Sequence, residues 1–252
     1  MSAKRSKRDD KESEDVFINL ELEGFAPEEE DRDGIIQMLK QLLPKTANLR
    51  LGGLADYIIS REKIGTVVKY SDYEAEADDD EDIVFSITSL INLFEPAISQ
   101  HPDIADLRKF LETFVSSSKP SNSDTGKIVK VLTGASSEKP ALLVNERYVN
   151  LPAEVAEKSV SALLDEINGL PENEKPTHII VLTRAIKSPG SSELIYIQPE
   201  MENVRKFALA ISETNVTTPT VDDEDETVTF VTMVINVPSL PEIVDNITSS
   251  ST

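Results

Sequence analysis

ALLVNERYVNLPAEVAEKSVSALLDEI, residues Ala141–Ile167, is the stretch whose reading decides the fold. It opens on the apolar run Ala141-Leu142-Leu143-Val144, which has the length of a buried strand rather than a helix. The polar group Asn145-Glu146-Arg147 is predicted to break that run. Asn150-Leu151-Pro152 then reads as a helix start, because proline suits a first turn where its missing N–H would have no partner. Asn150 or Leu151 supplies the N-cap, and Glu154 sets a carboxylate at the positive end of the helix dipole. Ala156, Val160, Leu163, Leu164 and Ile167 recur at helical spacing on one face. Asn168-Gly169 and Pro171 stop the helix. The unit is a strand, a tight polar corner and an amphipathic helix.

On the N-terminal side, residues 1–14 carry no core-forming side chain beyond the initiator and read as a disordered tail. From Val16 the chain alternates, with Val16, Ile18, Leu20 and Leu22 on one face of a half-buried strand. The acids Glu28–Asp31 are expected in a loop. A helix then turns Ile35, Ile36, Leu39, Leu42 and Leu43 inward, and Leu54–Arg61 forms a second. Ile64–Tyr70 and Ile83–Leu93 read as strands, separated by an acidic loop that includes Asp78, Asp79, Asp80, Glu81 and Asp82. Pro102 starts a helix whose inner stripe is Ile104, Leu107, Phe110, Leu111 and Phe114. Residues 116–125 read as a flexible connection, and Lys127–Leu132 as a helix or a short linker.

On the C-terminal side, strands are predicted over 178–186 and 193–198, joined by the turn residues Lys187–Ser191, and a helix over 199–211. A further acidic loop, Asp222, Asp223, Glu224, Asp225 and Glu226, precedes a strand at Thr227–Val237. A short helix over Pro238–Ile247 and a tail over 248–252 follow. Strand–helix–strand–strand order implies a mixed sheet with helices on its faces, hence an α/β class with one domain over 15–247.

Composition narrows the function. The net charge is −21, which opposes nucleic-acid binding and anionic membranes and favours basic partners. Cysteine is absent, so thiolate metal sites, disulfides and cysteine catalysis are excluded together. The two histidines, His101 and His178, fall at element boundaries, where structural roles are expected. No Gly-x-Ser-x-Gly elbow is present, and Gly126-Lys127 lacks the upstream glycine of a phosphate loop. No apolar run approaches a membrane span or resembles a signal peptide.

Leu143-Val144-Asn145-Glu146-Arg147-Tyr148-Val149-Asn150-Leu151-Pro152 resembles the central motif of the BCCIP family, with Asn145 where serine is usual. Glu146, Arg147, Asn150 and Pro152 carry the resemblance. Phe17–Glu23, Asp33–Leu43, Ile179–Arg184 and Pro199–Ala208 are similar to further family elements, so the likeness spans residues 16–244. The resemblance implies an acetyltransferase-like fold used for binding and escort. It implies a basic large-subunit ribosomal protein of the universal L-fourteen family as client. It also implies roles in the nuclear export of a phosphoinositide (lipid) kinase and contacts with cell-cycle and recombination proteins.

A degenerate or active acyl-CoA-dependent N-acetyltransferase is the rival reading, and a general acidic histone-type chaperone a third. Acetyl transfer on this fold needs successive backbone N–H groups around a pyrophosphate at a helix N-terminus. The segment Arg147–Pro152 has no glycine for close approach, and Pro152 deletes an N–H. No cofactor and no enzyme activity are therefore expected. Arg147 is expected to clamp carbonyls or a carboxylate beneath the corner. The cluster Lys4, Arg5, Lys7, Arg8 stands out in an acidic chain and is expected to direct nuclear import, with shuttling to the cytoplasm. Replacing all four with alanine should shift a fluorescently tagged chain towards the cytoplasm, and unchanged nuclear accumulation would assign import to another segment or a carried partner.

Overall fold

The computed structural model describes residues 22–71, 83–118, 123–135, 137–149, 151, 153–188, 190–191, 193–219 and 225–250. In chain order these hold β1 (Leu22–Phe25), α1 (Arg32–Leu42), α2 (Leu51–Ile59), β2 (Thr66–Tyr70) and β3 (Ser86–Asn92). Next come α3 (Ala97–Gln100), α4 (Pro102–Ser116), α5 (Ser123–Leu132), β4 (Pro140–Arg147) and α6 (Ala153–Gly169). The remainder is β5 (His178–Lys187), β6 (Leu194–Tyr196), α7 (Met201–Arg205), β7 (Ala210–Pro219), β8 (Asp225–Asn236) and α8 (Leu240–Ser250).

The strands form one sheet in the order β1-β2-β3-β4-β5-β8-β7, with β6 attached to the end of β5. Only β4 and β5 are parallel, because α6 carries the chain across the sheet between them. Strand alternation sorts the core into two layers. Leu142, Val144, Ile180 and Leu182 point to the layer covered by α1, α2, α4 and α5. Ala141, Leu143, Ile179 and Val181 point to the layer of α6, α7 and α8. Both faces are covered, so β4 reads as a continuous apolar run rather than an alternating one. The mixed sheet expected from the element order is the one observed.

Several sequence expectations need correction. Asn145-Glu146-Arg147 do not end the strand: all three lie inside β4, buried, and pair in register with Thr88, Ile87 and Ser86 of β3. Tertiary partners for their polar groups override the local polarity signal. The helix expected over 199–211 is only α7, and Ala210 opens β7, a ten-residue edge strand. The apolar run Phe207–Ile211 imitates a continued helical stripe, whereas the Thr-rich residues after it carry the strand signal. Lys127–Leu132 belongs to a helix, α5. Asp225 and Glu226 open β8 rather than lying in a loop, and α8 continues into the residues expected as a tail. Lys4, Arg5, Lys7, Arg8, Val16–Leu20, Asp78–Asp82, Asn150, Pro152 and Asp222–Glu224 lie outside the described residues.

The acids Glu28–Asp31 are also not an open loop. Residues 29–31 form a 3-10 turn, and Asp31 is fully buried. Its Oδ2 accepts the Glu28 N–H at 2.9 Å, and Lys69 Nζ of β2 lies 2.8 Å from Oδ1. Lys69 also sits over the Phe25 ring at 5.4 Å. This pair pins the entry of α1 to the edge of the sheet, whereas Glu29 and Glu30 face solvent. Lys69→Met should cost about 3–5 kcal/mol, because it leaves a buried carboxylate without its cation. Glu29→Gln and Glu30→Gln should stay within about 0.5 kcal/mol in the same urea titrations.

Candidate functional site

β4 and β5 pair only from Pro140–Leu143 against His178–Val181. Beyond that point β4 stays with β3 as far as Arg147, while β5 stays with β8 as far as Ala185. A wedge opens between the two central strands, and the segment after β6 fills it. The Ile197 N–H donates to the Arg184 carbonyl at 3.1 Å. Gln198 Nε2 reaches the other wall, donating to the Asn145 carbonyl at 3.1 Å and to Glu146 Oε2 at 3.3 Å. One side chain thus meets a backbone carbonyl that a continued sheet would have met with a strand amide, and the carboxylate beside it.

Two ion pairs flank Gln198, and strand parity assigns them to opposite faces of the sheet. Arg147 is on the α7 side, where its guanidinium forks onto Glu200, Nη2 donating to Oε2 at 3.0 Å and Nη1 to Oε1. Both side chains are almost wholly buried. This bidentate geometry is the strongest ion-pair form available to arginine. On the other face Arg184 Nη2 donates to Glu146 Oε2 at 3.1 Å. Thr88 of β3 donates to Asn145 Oδ1 at 2.9 Å, which fixes that amide. A cavity of about 250 Å³ opens beside the wedge, lined by Arg147, Val149, Leu151, Arg184, Ile197, Gln198 and Pro199.

Burial dominates the chemistry of Glu146. Loss of solvent lifts its carboxyl from the ordinary 4.5 to about 7, against the opposing pull of Arg184 and then Arg147; Glu200 adds a smaller push upward. A carboxyl near 7 is suited to acid–base work, but Glu146 is committed to Arg184 and Gln198 within the wedge. The histidines are remote from it. His101 packs edge-on against Tyr57 at 5.0 Å, and His178 Nδ1 lies 3.0 Å from Thr177 Oγ1.

Of the motif residues, the fold brings Glu146 and Arg147 into the wedge as adjacent residues on opposite faces. Sequence reasoning missed their partners Arg184, Gln198 and Glu200, which lie 38 to 53 residues away. The available signal is the charge of Arg147, which calls for carbonyls or a carboxylate to clamp; nothing local says which one.

The BCCIP family model matches residues 17–226. The chain belongs to the BCCIP family. The fission-yeast protein bcp1 is 26% identical over 222 residues, covering 78% of this chain and 74% of that protein. The human BRCA2 and CDKN1A-interacting protein is 33% identical over 167 residues, covering 64% of this chain and 51% of its own length. Against the fly BCCIP homolog the match likewise spans only about half of the relative. The crystal structure of BCP1 from Saccharomyces cerevisiae has the same fold, with a TM-score of 0.65 at 20% identity, covering 96% of this chain and 93% of that one.

For this family member, Glu146 yields a pH test. Its folded pKa lies above its unfolded value, so the folded chain keeps a proton that the unfolded chain releases between about pH 4.5 and about pH 7. That contribution to stability is complete below the unfolded value and is lost as pH rises through about 7. Glu146→Gln removes the titration while keeping a polar acceptor. The parent should lose stability relative to Glu146→Gln across this window, by about 3 kcal/mol at roughly 1.4 kcal/mol per pKa unit. Urea melts over the pH range read this directly, and parallel curves would mean that Glu146 titrates normally.

Proposed function

We propose that this chain is a non-enzymatic nuclear escort that shuttles to the cytoplasm and holds a basic large-subunit ribosomal protein of the universal L-fourteen family before assembly. What carries the reading is where the topology inserts its acids. β4 and β5 are parallel and end together, and β3 and β8, antiparallel to them, begin at that same end. The sequence joining β2 to β3 contains Asp78–Asp82, and the sequence joining β7 to β8 contains Asp222–Glu224, with Asp225 and Glu226 opening β8. Both runs fall in the chain between strands whose described ends meet at one end of the sheet, and they hold ten of the 46 acids behind the net charge of −21, which favours a cationic partner. A free ribosomal protein is cationic, and an acidic escort can cover the face it later offers to RNA.

The filled wedge supports the non-enzymatic part. On an acetyltransferase-like fold, a cofactor laid between the diverging strands would have to displace Gln198 from Asn145 and part the Arg147–Glu200 fork. Residues 147–152 also lack a glycine that would let a pyrophosphate approach the backbone. The human relative's name links it to BRCA2 and CDKN1A, so cell-cycle and recombination proteins form a second class of partner for this chain. Nuclear export of a lipid kinase is a third role, and the family resemblance alone supports it.

The acids act jointly, since single exposed ion pairs contribute about 0–1 kcal/mol. Replacing Asp78–Asp82 and Asp222–Glu226 with the corresponding amides should slow association with the ribosomal protein several-fold and flatten its salt dependence, with folding nearly intact. Stopped-flow kinetics across ionic strength measures this. Identical on-rates and salt slopes would reduce the acids to a solubility role. Equal affinity for any polycation would favour the histone-type chaperone.

A further inference from the structure

An exposed sheet edge offers a row of unpaired backbone groups, which folds usually blunt with lysine, proline, a bulge or a covering element. β7 is an edge strand of ten residues, and its register with β8 runs unbroken from Ala210 to Pro219. The Ile211 N–H points out of the sheet, where Asp124 Oδ2 of α5 accepts it at 3.4 Å. Backbone groups alternate sides along an antiparallel strand, so the N–H and C=O groups of Glu213, Asn215 and Thr217 point outward too. All three residues are exposed, and among the described residues nothing accepts those amide protons. Their side chains are drawn back from the edge. Asn215 Oδ1 accepts Thr229 Oγ1 of β8 at 3.0 Å, Thr217 Oγ1 lies 3.0 Å from Thr227 Oγ1, and Glu213 Oε1 lies 3.8 Å from Arg205 Nη2. No lysine, proline or bulge interrupts residues 213–217.

The two ends of this open stretch decide what fits it. At one end the outward donor of Ile211 is already held by Asp124; at the other, Pro219 has no N–H. Both stops lie four residues from Asn215. Antiparallel pairing with a second β7 about Asn215 sets each Ile211 opposite the other copy's Pro219, so the positions with no donor to give face one another. Between them the outward groups of Glu213, Asn215 and Thr217 all meet partners. The same register puts Glu213 opposite Thr217 and Asn215 opposite Asn215, so no like charges are directly opposed. From this symmetry we infer that β7 is a self-pairing edge: two copies join through residues 213–217 about a two-fold axis at Asn215, an isologous contact that makes one sheet of both. The flanking charges permit it. α5 carries Asp124, Lys127 and Lys130, the α7 segment Glu202, Arg205 and Lys206, and β8 opens on Asp225 and Glu226, so with Glu213 the acids here are nearly matched by cations. The chain's charge of −21 opposes association at longer range, and salt relieves that opposition. The contact goes beyond the escort reading and is independent of it, since β5 and β8 separate β7 from the wedge.

Sedimentation equilibrium of the full chain should give a monomer–dimer equilibrium that tightens as sodium chloride is raised. Amides of Glu213, Asn215 and Thr217 should gain protection from hydrogen exchange as the dimer forms. Thr217→Pro removes an outward donor that the β8 ladder does not use, and the Thr217 hydroxyl meets only the exposed Thr227. This variant should stay monomeric with a melting temperature close to the parent's. Two further variants read the register while leaving every backbone group in place. Thr217→Arg faces Glu213 of the other copy twice over and should tighten the dimer by about threefold to tenfold, whereas Thr217→Glu should weaken it by a similar factor. These two carry the test if Thr217→Pro does not fold. A chain that stays monomeric at millimolar concentration in high salt, a dimer that persists in folded Thr217→Pro, or equal responses to the arginine and glutamate variants overturns self-pairing. Protection of these amides only when a client polypeptide is bound overturns it as well, and would make β7 a docking strand for that partner.

Discussion

The constraint on which the rest of this structure depends is the separation of β4 from β5 after Leu143 and Val181. Two central strands that part company expose backbone and side-chain acceptors in the middle of a covered sheet, and such groups must find partners. Gln198 donates to those acceptors, and Glu200 of the same short segment accepts the Arg147 guanidinium beside them. Removing one member of a buried pair costs about 3–5 kcal/mol, whereas replacing a whole pair with apolar groups is often neutral. The Arg147–Glu200 fork therefore specifies where the β6–α7 segment sits more than it adds to total stability. That placement holds the β5–β6 hairpin and its exposed isoleucines beside the end of β4.

Most of the sheet and helices is legible along the chain, because each element is written in local spacing. The Ala141–Val144 run, the 3.6-residue stripe of α6 and the proline that opens α4 all read correctly from neighbours. What fails is polarity that is satisfied at a distance. Asn145-Glu146-Arg147 look like a corner because nothing nearby says that β3, Arg184, Gln198 and Glu200 will surround them. β7 fails for the converse reason: Leu209, Ala210 and Ile211 extend the apolar rhythm of α7, although α7 ends at Arg205. The wedge was not legible at all, since it is a property of strand register, and register is set by tertiary pairing.

Acidity, too, divides into two kinds that composition cannot separate. Asp31, Glu146 and Glu200 are interior groups, each matched to a specific cation: Lys69, Arg184 and Arg147. They fix the geometry of the scaffold. Asp78–Asp82 and Asp222–Glu224 instead fall in the sequence between strands, with Asp225 and Glu226 opening β8, and runs of like charge of this kind act through a shared field rather than through single pairs. A count of −21 adds the two together, but substitutions in the first set should be felt in stability and those in the second in kinetics.

The separation of the wedge partners along the chain has a consequence for biogenesis. A ribosome delivers residues in order, so Glu146 and Arg147 emerge well before Arg184 and before Gln198 and Glu200. Until those later residues leave the exit tunnel, β4 can pair with β3 but cannot bury its charged end without partners. The nascent chain thus lacks the partners that close its centre until Gln198 and Glu200 have emerged, and β7 and β8 emerge after them. Truncation ahead of Glu200 would leave an open-centred intermediate, the kind of species that chaperones bind and proteases clear.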